Sequence, residues 1–314
     1  MNWDFLAKTS IVLLCLGCTE PVQKQKDALI DKSAINKSFS RTENQVSFSH
    51  LYVVLDSISY NMMLHNDYLK STYAGMDSGL PGFSPIDSTA KSIYLRGRNS
   101  YLEILGPQNS FAEPVGQNGI GFALEAENGF SLQNKPHLKE TDTKFLTESD
   151  TVTFLVNNKN IIWYKPFYTV GMETNIYTWY SYRNPEFLSA LYNKNIEKYT
   201  EEAYLQGGYK PQKLFENVTQ VEIECSRADH YRISKELQLL GCKLKLKSQD
   251  TLNFAVGNID VTLVRNQTIT KSYISRIDGT LNAMDNRTLD FHNLKIENSG
   301  RSTRWHFKQQ LKSK

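Results

Sequence analysis

Residues Val46 to Pro107 constrain the fold of this chain more than any other stretch. The stretch opens with FSHLYVVLDS, in which Phe48, His50, Tyr52 and Val54 alternate with Leu51, Val53 and Leu55, the period of two that marks a strand with two unlike faces. It closes with IYLRGRNSYLEILGP, where Tyr101, Glu103 and Leu105 share one strand face and Leu102 and Ile104 the other. Between them a helix is expected, with Asp56 or Ser57 as its cap and Ile58, Met62, Leu69 and Tyr73 in one apolar arc. His65 falls in the same arc, where a histidine is more often a hydrogen-bonded core residue than a ligand. The segment Ala74 to Ala90 is rich in Gly, Pro and Ser and lacks periodicity, so it reads as a long surface loop placed like a cover.

The N-terminus carries an export signature. Lys8 lies in a short n-region, IVLLCLG forms an apolar core too short to span a bilayer, and Gly17-Cys18 resembles a bacterial lipobox, which implies lipidation at Cys18. An ordinary cleaved signal peptide is the alternative. Thr19 after the cysteine favours the outer membrane over the inner. Residues 19–45 are polar, mixed in charge and nearly free of aromatics, so they read as a flexible tether between residues 1–18 and the folded part. A net charge of +3 spread without blocks gives no footprint for nucleic acid, while 40% apolar residues suffice for real cores.

Gly116, Gly119 and Gly121 form a G-x-x-G-x-G run, but it leads into a strand instead of a helix N-terminus, so a phosphate-binding loop is not expected. The aromatic strand NIYTWYSYR follows, in which Tyr177, Trp179 and Tyr180 are candidates to line the pocket of an organic ligand, beside Tyr101. Sheet core is the commoner role of such a run. Pro185 and Glu186 then open a helix.

The second half repeats the first in order and in parity. VTQVEIECS places Val221, Ile223 and Cys225 where the first half has Leu51, Val53 and Leu55, and the same offset sets Gln220 on His50. Ser226 and Asp229 have capping-box spacing before a helix bearing Ile233, Leu237 and Leu240, and Gly241 stands where a helix C-terminus wants glycine. A hairpin follows, whose second strand puts Asp260, Thr262 and Val264 on the face equivalent to that of Tyr101, Glu103 and Leu105. The expected fold is α+β: two βαβββ modules, 46–184 and 215–310, joined by a helical linker, 185–214.

Strand, helix, loop and a hairpin with an inward carboxylate resemble the vicinal-oxygen-chelate (glyoxalase, bleomycin-resistance and dioxygenase) superfamily, in particular its glyoxalase-like bacterial lipoprotein branch. That resemblance implies a divalent metal (Zn, Ni, Mn or Fe) held between modules by His50 and Glu103 from the first and by Gln220 and Asp260, or Thr262, from the second. It implies that the two modules form a curved mixed sheet around a cleft, and that the protein is a lyase, isomerase or dioxygenase acting on a small oxygenated molecule through Lewis acidity. The second module departs from the pattern, since Gln220 is a weak neutral ligand. A non-catalytic small-molecule binding protein and a surface interaction lipoprotein are therefore the alternatives. Cys225 and Cys242 lack metal-finger spacing and read either as a disulfide of an exported protein or as two thiols. No G-x-S-x-G, H-E-x-x-H or P-loop string occurs.

Overall fold

In the computed structural model, residues 46–79, 83–124, 147–148, 151–168 and 174–309 are described, so Cys18, the signal segment and the tether lie outside them. The first half comprises β1 (Val46–Val54), α1 (Ser57–Leu64), a π-helical turn (Leu69–Tyr73), β2 (Gly75–Asp77), β3 (Ser92–Arg96), β4 (Tyr101–Leu105), β5 (Asn118–Leu124), β6 (Thr147–Glu148), β7 (Val152–Val156), β8 (Lys159–Tyr168) and β9 (Ile176–Arg183). Two helices follow, α2 (Pro185–Tyr192) and α3 (Glu201–Leu205). The second half comprises β10 (Phe215–Cys225), α4 (Arg227–Leu239), β11 (Lys243–Lys247), β12 (Thr251–Val256), β13 (Ile259–Arg265), β14 (Tyr273–Asp285), β15 (Thr288–Asp290) and β16 (Leu294–Phe307).

Among the described residues these strands build two mixed sheets, ordered β2-β3-β4-β1-β5-β9-β8-β6, with β7 also on β8, and β11-β12-β13-β10-β14-β16-β15. Each sheet has a hub strand. β1 runs parallel to β4 and antiparallel to β5, and β10 runs parallel to β13 and antiparallel to β14. Strands outweigh helices, so the α+β expectation holds in a more sheet-rich form.

Strict alternation along β1 fails at one place. The pairing with β5 slips between Phe48 and His50, which makes Ser49 a bulge residue. Phe48 therefore joins Leu51, Val53 and Leu55 in the core, contrary to the face expected from alternation, and Ser49 is brought beside His50. β10 slips at the equivalent place, between Val218 and Gln220, and Val218 likewise joins Val221, Ile223 and Cys225 inside.

The expected helix stripe is also displaced. In α1 the buried residues are Ser59, Tyr60, Met63 and Leu64, while Ile58 and Met62 are exposed. The helix stops at Leu64, and the chain re-enters the core through the separate turn that buries Leu69 and Tyr73, so one continuous helical arc never forms. Asp56 caps α1 by accepting from the Ile58 and Ser59 amides. Asn184 caps α2 with Pro185 in its first turn, and Ser226 caps α4 by accepting from the Asp229 amide. Cys225 is buried and Cys242 half-buried, and neither is in a disulfide.

The two halves interlock reciprocally. At the β3–β4 turn, Gly97 passes so close to the Glu216 carbonyl that a Cβ there would stand 2.5 Å away; at the β12–β13 turn, Gly257 (φ +60°) does the same to the Val46 carbonyl at 2.8 Å. Val46 and Glu216 are themselves equivalent under the offset that takes Leu51 to Val221. Helix α4 packs on β10 and β13 of its own sheet and on β9 of the other, where Arg232 donates to the Ile176 carbonyl and the Thr178 hydroxyl. The larger apolar core therefore lies between the inner faces of both sheets, and a second, smaller one on the outer face of the first sheet packs Tyr101 and Trp163 against Phe187, Tyr199 and Tyr204 of the segment that follows β9.

Candidate functional site

Strand register on the outer face of the first sheet lines up two adjacent rows of five residues. Along β3-β4-β1-β5-β9 the first row reads Arg96, Tyr101, His50, Gly121, Trp179, and the second reads Tyr94, Glu103, Tyr52, Gly119, Tyr177. The two glycines make this surface possible. A Cβ on Gly121 would clash with the Trp179 ring, and one on Gly119 would stand 2.6 Å from the same ring and clash with the ring of Tyr52. The glycine run is thus a steric device, in keeping with the rejection of a phosphate loop, and it lets two large rings lie across β5.

His50 is stacked on Tyr101 with ring centres 4.3 Å apart and meets Trp179 edge-on at 5.0 Å. Its Nδ1 is 3.0 Å from the Ser49 hydroxyl, which also accepts from Arg183 Nη2 at 2.7 Å. Burial, followed by the positive fields of Arg183 and Arg96, holds the imidazole well below its ordinary range, so it is neutral at physiological pH. The Arg96 guanidinium is clamped by Asp77 through Nε and Nη2 and lies over the rings of Phe83, Tyr94 and Tyr101. Arg183, at the end of β9, is enclosed by Trp163, Tyr164 and Tyr199 and sits 3.5 Å from Glu201 of α3.

Glu103 accepts from the Tyr94 hydroxyl at 2.6 Å. Burial pushes its carboxyl up to about 7, against the smaller downward pull of Tyr94 and Arg96. Between its ordinary 4.5 and about 7 the folded protein keeps a proton that the unfolded chain has released, so stability is highest below that window and falls as pH rises through it. At about 1.4 kcal/mol per pH unit the fall is on the order of 3 kcal/mol. Glu103→Gln cannot ionise and is expected to flatten this part of the profile. Urea midpoints at about pH 5 and pH 8 check it, and an unchanged slope counts against the assignment.

The four residues expected to share a metal do not come together. His50 and Glu103 occupy neighbouring rows of the first sheet, but Gln220 and Asp260 pair with each other on the outer face of the second, beyond the core. Gln220 donates to Thr262, and Asp260 accepts from Lys245 near the surface. Thr262, opposite Glu222 in register, is the positional counterpart of Glu103, which lies opposite Tyr52. Among the described residues no group of three or more His, Cys, Asp and Glu side chains is placed to hold an ion, so the residues present do not fit the expected metal centre. Of the aromatic candidates, Tyr101 and Trp179 line the site and Tyr177 forms its exposed edge. Tyr180 points the other way, into the core, where its hydroxyl donates to Glu236.

Sequence reasoning missed Ser49, Arg96, Arg183 and Glu201. Arg183 has the parity of Tyr177 and Trp179, and Arg96 interrupts an otherwise apolar strand, so both carried a signal. Ser49 could not be found by alternation because the bulge breaks it. The loop read as a cover supplies Asp77 through β2 and the Phe83 ring, although residues 80–82 lie outside the described ones.

No curated protein matches this chain. Among solved structures, a hypothetical protein from Staphylococcus aureus is similar over 73% of this chain and 88% of its own, with 10% identity and a TM-score of 0.40. A family model described as a family of unknown function, DUF5829, matches residues 48–307, and the chain belongs to that family.

Proposed function

We propose that this is an exported, membrane-tethered protein that binds a small organic molecule over the His50–Tyr101–Trp179 row. The observation that carries this reading is chemical: aromatic faces, a neutral imidazole and a carboxyl group occupy one sheet face, under which the glycines of β5 leave room for rings. Such a mixture of apolar walls with a few directed polar groups is what small-molecule sites are made of. In a screen of small molecules read by thermal shift, a compound that stabilises the wild type is expected to lose at least tenfold in affinity with Tyr101→Ala and with His50→Ala. Binding that both variants retain counts against this site.

Acid–base chemistry is the second reading, favoured by Glu103 held near 7 beside a neutral His50. It keeps the lyase or isomerase activity implied by the vicinal-oxygen-chelate resemblance but assigns proton transfer to these side chains instead of a metal. The finer architecture belongs with these proposals: two βαβββ modules, supported by the matching bulges at Ser49 and Thr219 and by the reciprocal turns at Gly97 and Gly257.

Anchoring through Cys18 completes the proposal. Cys18→Ser is expected to move the protein from the membrane fraction to the soluble fraction without changing its melting temperature. Retention of that variant in the membrane fraction refutes lipidation at this residue.

A further inference from the structure

Arg183 and Glu201 form a buried ion pair that is poorly made. Their side chains are 3% and 5% exposed, yet the closest approach is 3.5 Å, outside good charge-assisted hydrogen-bond geometry. Arg183 spends only Nη2, on Ser49, whose hydroxyl also faces Glu201, while its Nε and Nη1 have no hydrogen-bond partner among the described residues and the Glu201 carboxylate has none of good geometry besides that hydroxyl. Unmet donors and spare acceptor capacity on adjoining buried charges carry a desolvation penalty unless something engages them. Asp229 and Glu236 around Arg232 show the contrast within the same protein, since every one of those groups is engaged.

Whatever engages this pair has to offer an acceptor to Arg183 and a donor to Glu201 at once. An isolated anion would satisfy the arginine and be repelled by the glutamate; an isolated cation would do the reverse. A molecule carrying both charges one carbon apart meets both demands and adds no net charge to a site walled by Trp163, Tyr164 and Tyr199. Building on the small-molecule reading above, we infer that the ligand is a zwitterionic α-amino acid, its carboxylate on Arg183 and its ammonium group on Glu201. Its side chain lies toward His50, which Ser49 links directly to Arg183.

The test is calorimetric titration of the full-length protein with the standard α-amino acids, and with propionate, propylamine and propionamide as carboxylate-only, ammonium-only and neutral amide probes. At least one amino acid is expected to bind at least tenfold more tightly than any of the three probes. Glu201→Gln keeps the shape of the side chain and removes its charge, so it is expected to weaken the amino acid at least tenfold. If no amino acid binds, if propionate or propionamide binds as well as the best of them, or if Glu201→Gln leaves affinity unchanged in a folded variant, the zwitterion inference is overturned. In that event a different compound whose stabilisation depends on Tyr101 and His50 preserves the small-molecule reading, whereas no such compound removes both.

Discussion

Arg232→Ala is expected to destabilise the protein by about 3–5 kcal/mol, because it leaves buried carboxylates without their counter-charge. The Arg232 side chain is fully buried and donates to Asp229, Glu236, Thr178 and the Ile176 carbonyl. The Thr178 hydroxyl, 2.5 Å from Glu236, and the Tyr180 hydroxyl come from β9, so the network joins the helix of the second half to the sheet of the first. Truncation removes the cation while the two acids stay in place, which is the costly way to break such a group. Thr178→Val removes one hydroxyl from the same network and is expected to cost about 1–2 kcal/mol. Urea denaturation measures both. An Arg232→Ala loss below that of Thr178→Val indicates that the network does not hold the halves together.

Gly121→Ala is expected to cost about 1–3 kcal/mol through overpacking and to weaken ligand binding at least tenfold. The backbone there is ordinary strand, so the penalty is steric. The new methyl group would stand 2.5 Å from Trp179 Cζ2 and 2.6 Å from its Nε1, in a strand that cannot retreat because β1 and β9 hold it on both sides. The indole has to move, and with it goes its edge contact to His50. Combining Gly121→Ala with Trp179→Phe relieves the clash, so the double variant is expected to regain at least half of the lost stability, a coupling that a double-mutant cycle reads directly. Additive losses in that cycle would show that the glycine serves some purpose other than room for Trp179.

The placement of His50, Tyr101 and Glu103 on one surface was legible in the sequence, because alternation within β1 and β4 decides the face of each side chain before any packing is known. The inward faces of Val221 and Ile223 were legible for the same reason, in the parity they share with Leu51 and Val53. The capped starts of α2 and α4 followed from local chemistry at Asn184 and Ser226. What alternation cannot supply is which strands become neighbours. Trp179 reaches His50 only because β9 pairs with β5 in a register that sets Gly121 between them. Arg183 reaches Ser49 only because a bulge turns that serine outward. The expected meeting of His50 with Gln220 failed on the same ground: each lies on its outer strand face as parity requires, but the halves pack by their inner faces and carry the two residues apart. Parity is a property of the local backbone and is written residue by residue, whereas register and sheet-to-sheet packing are settled by which apolar faces bury each other across the whole chain.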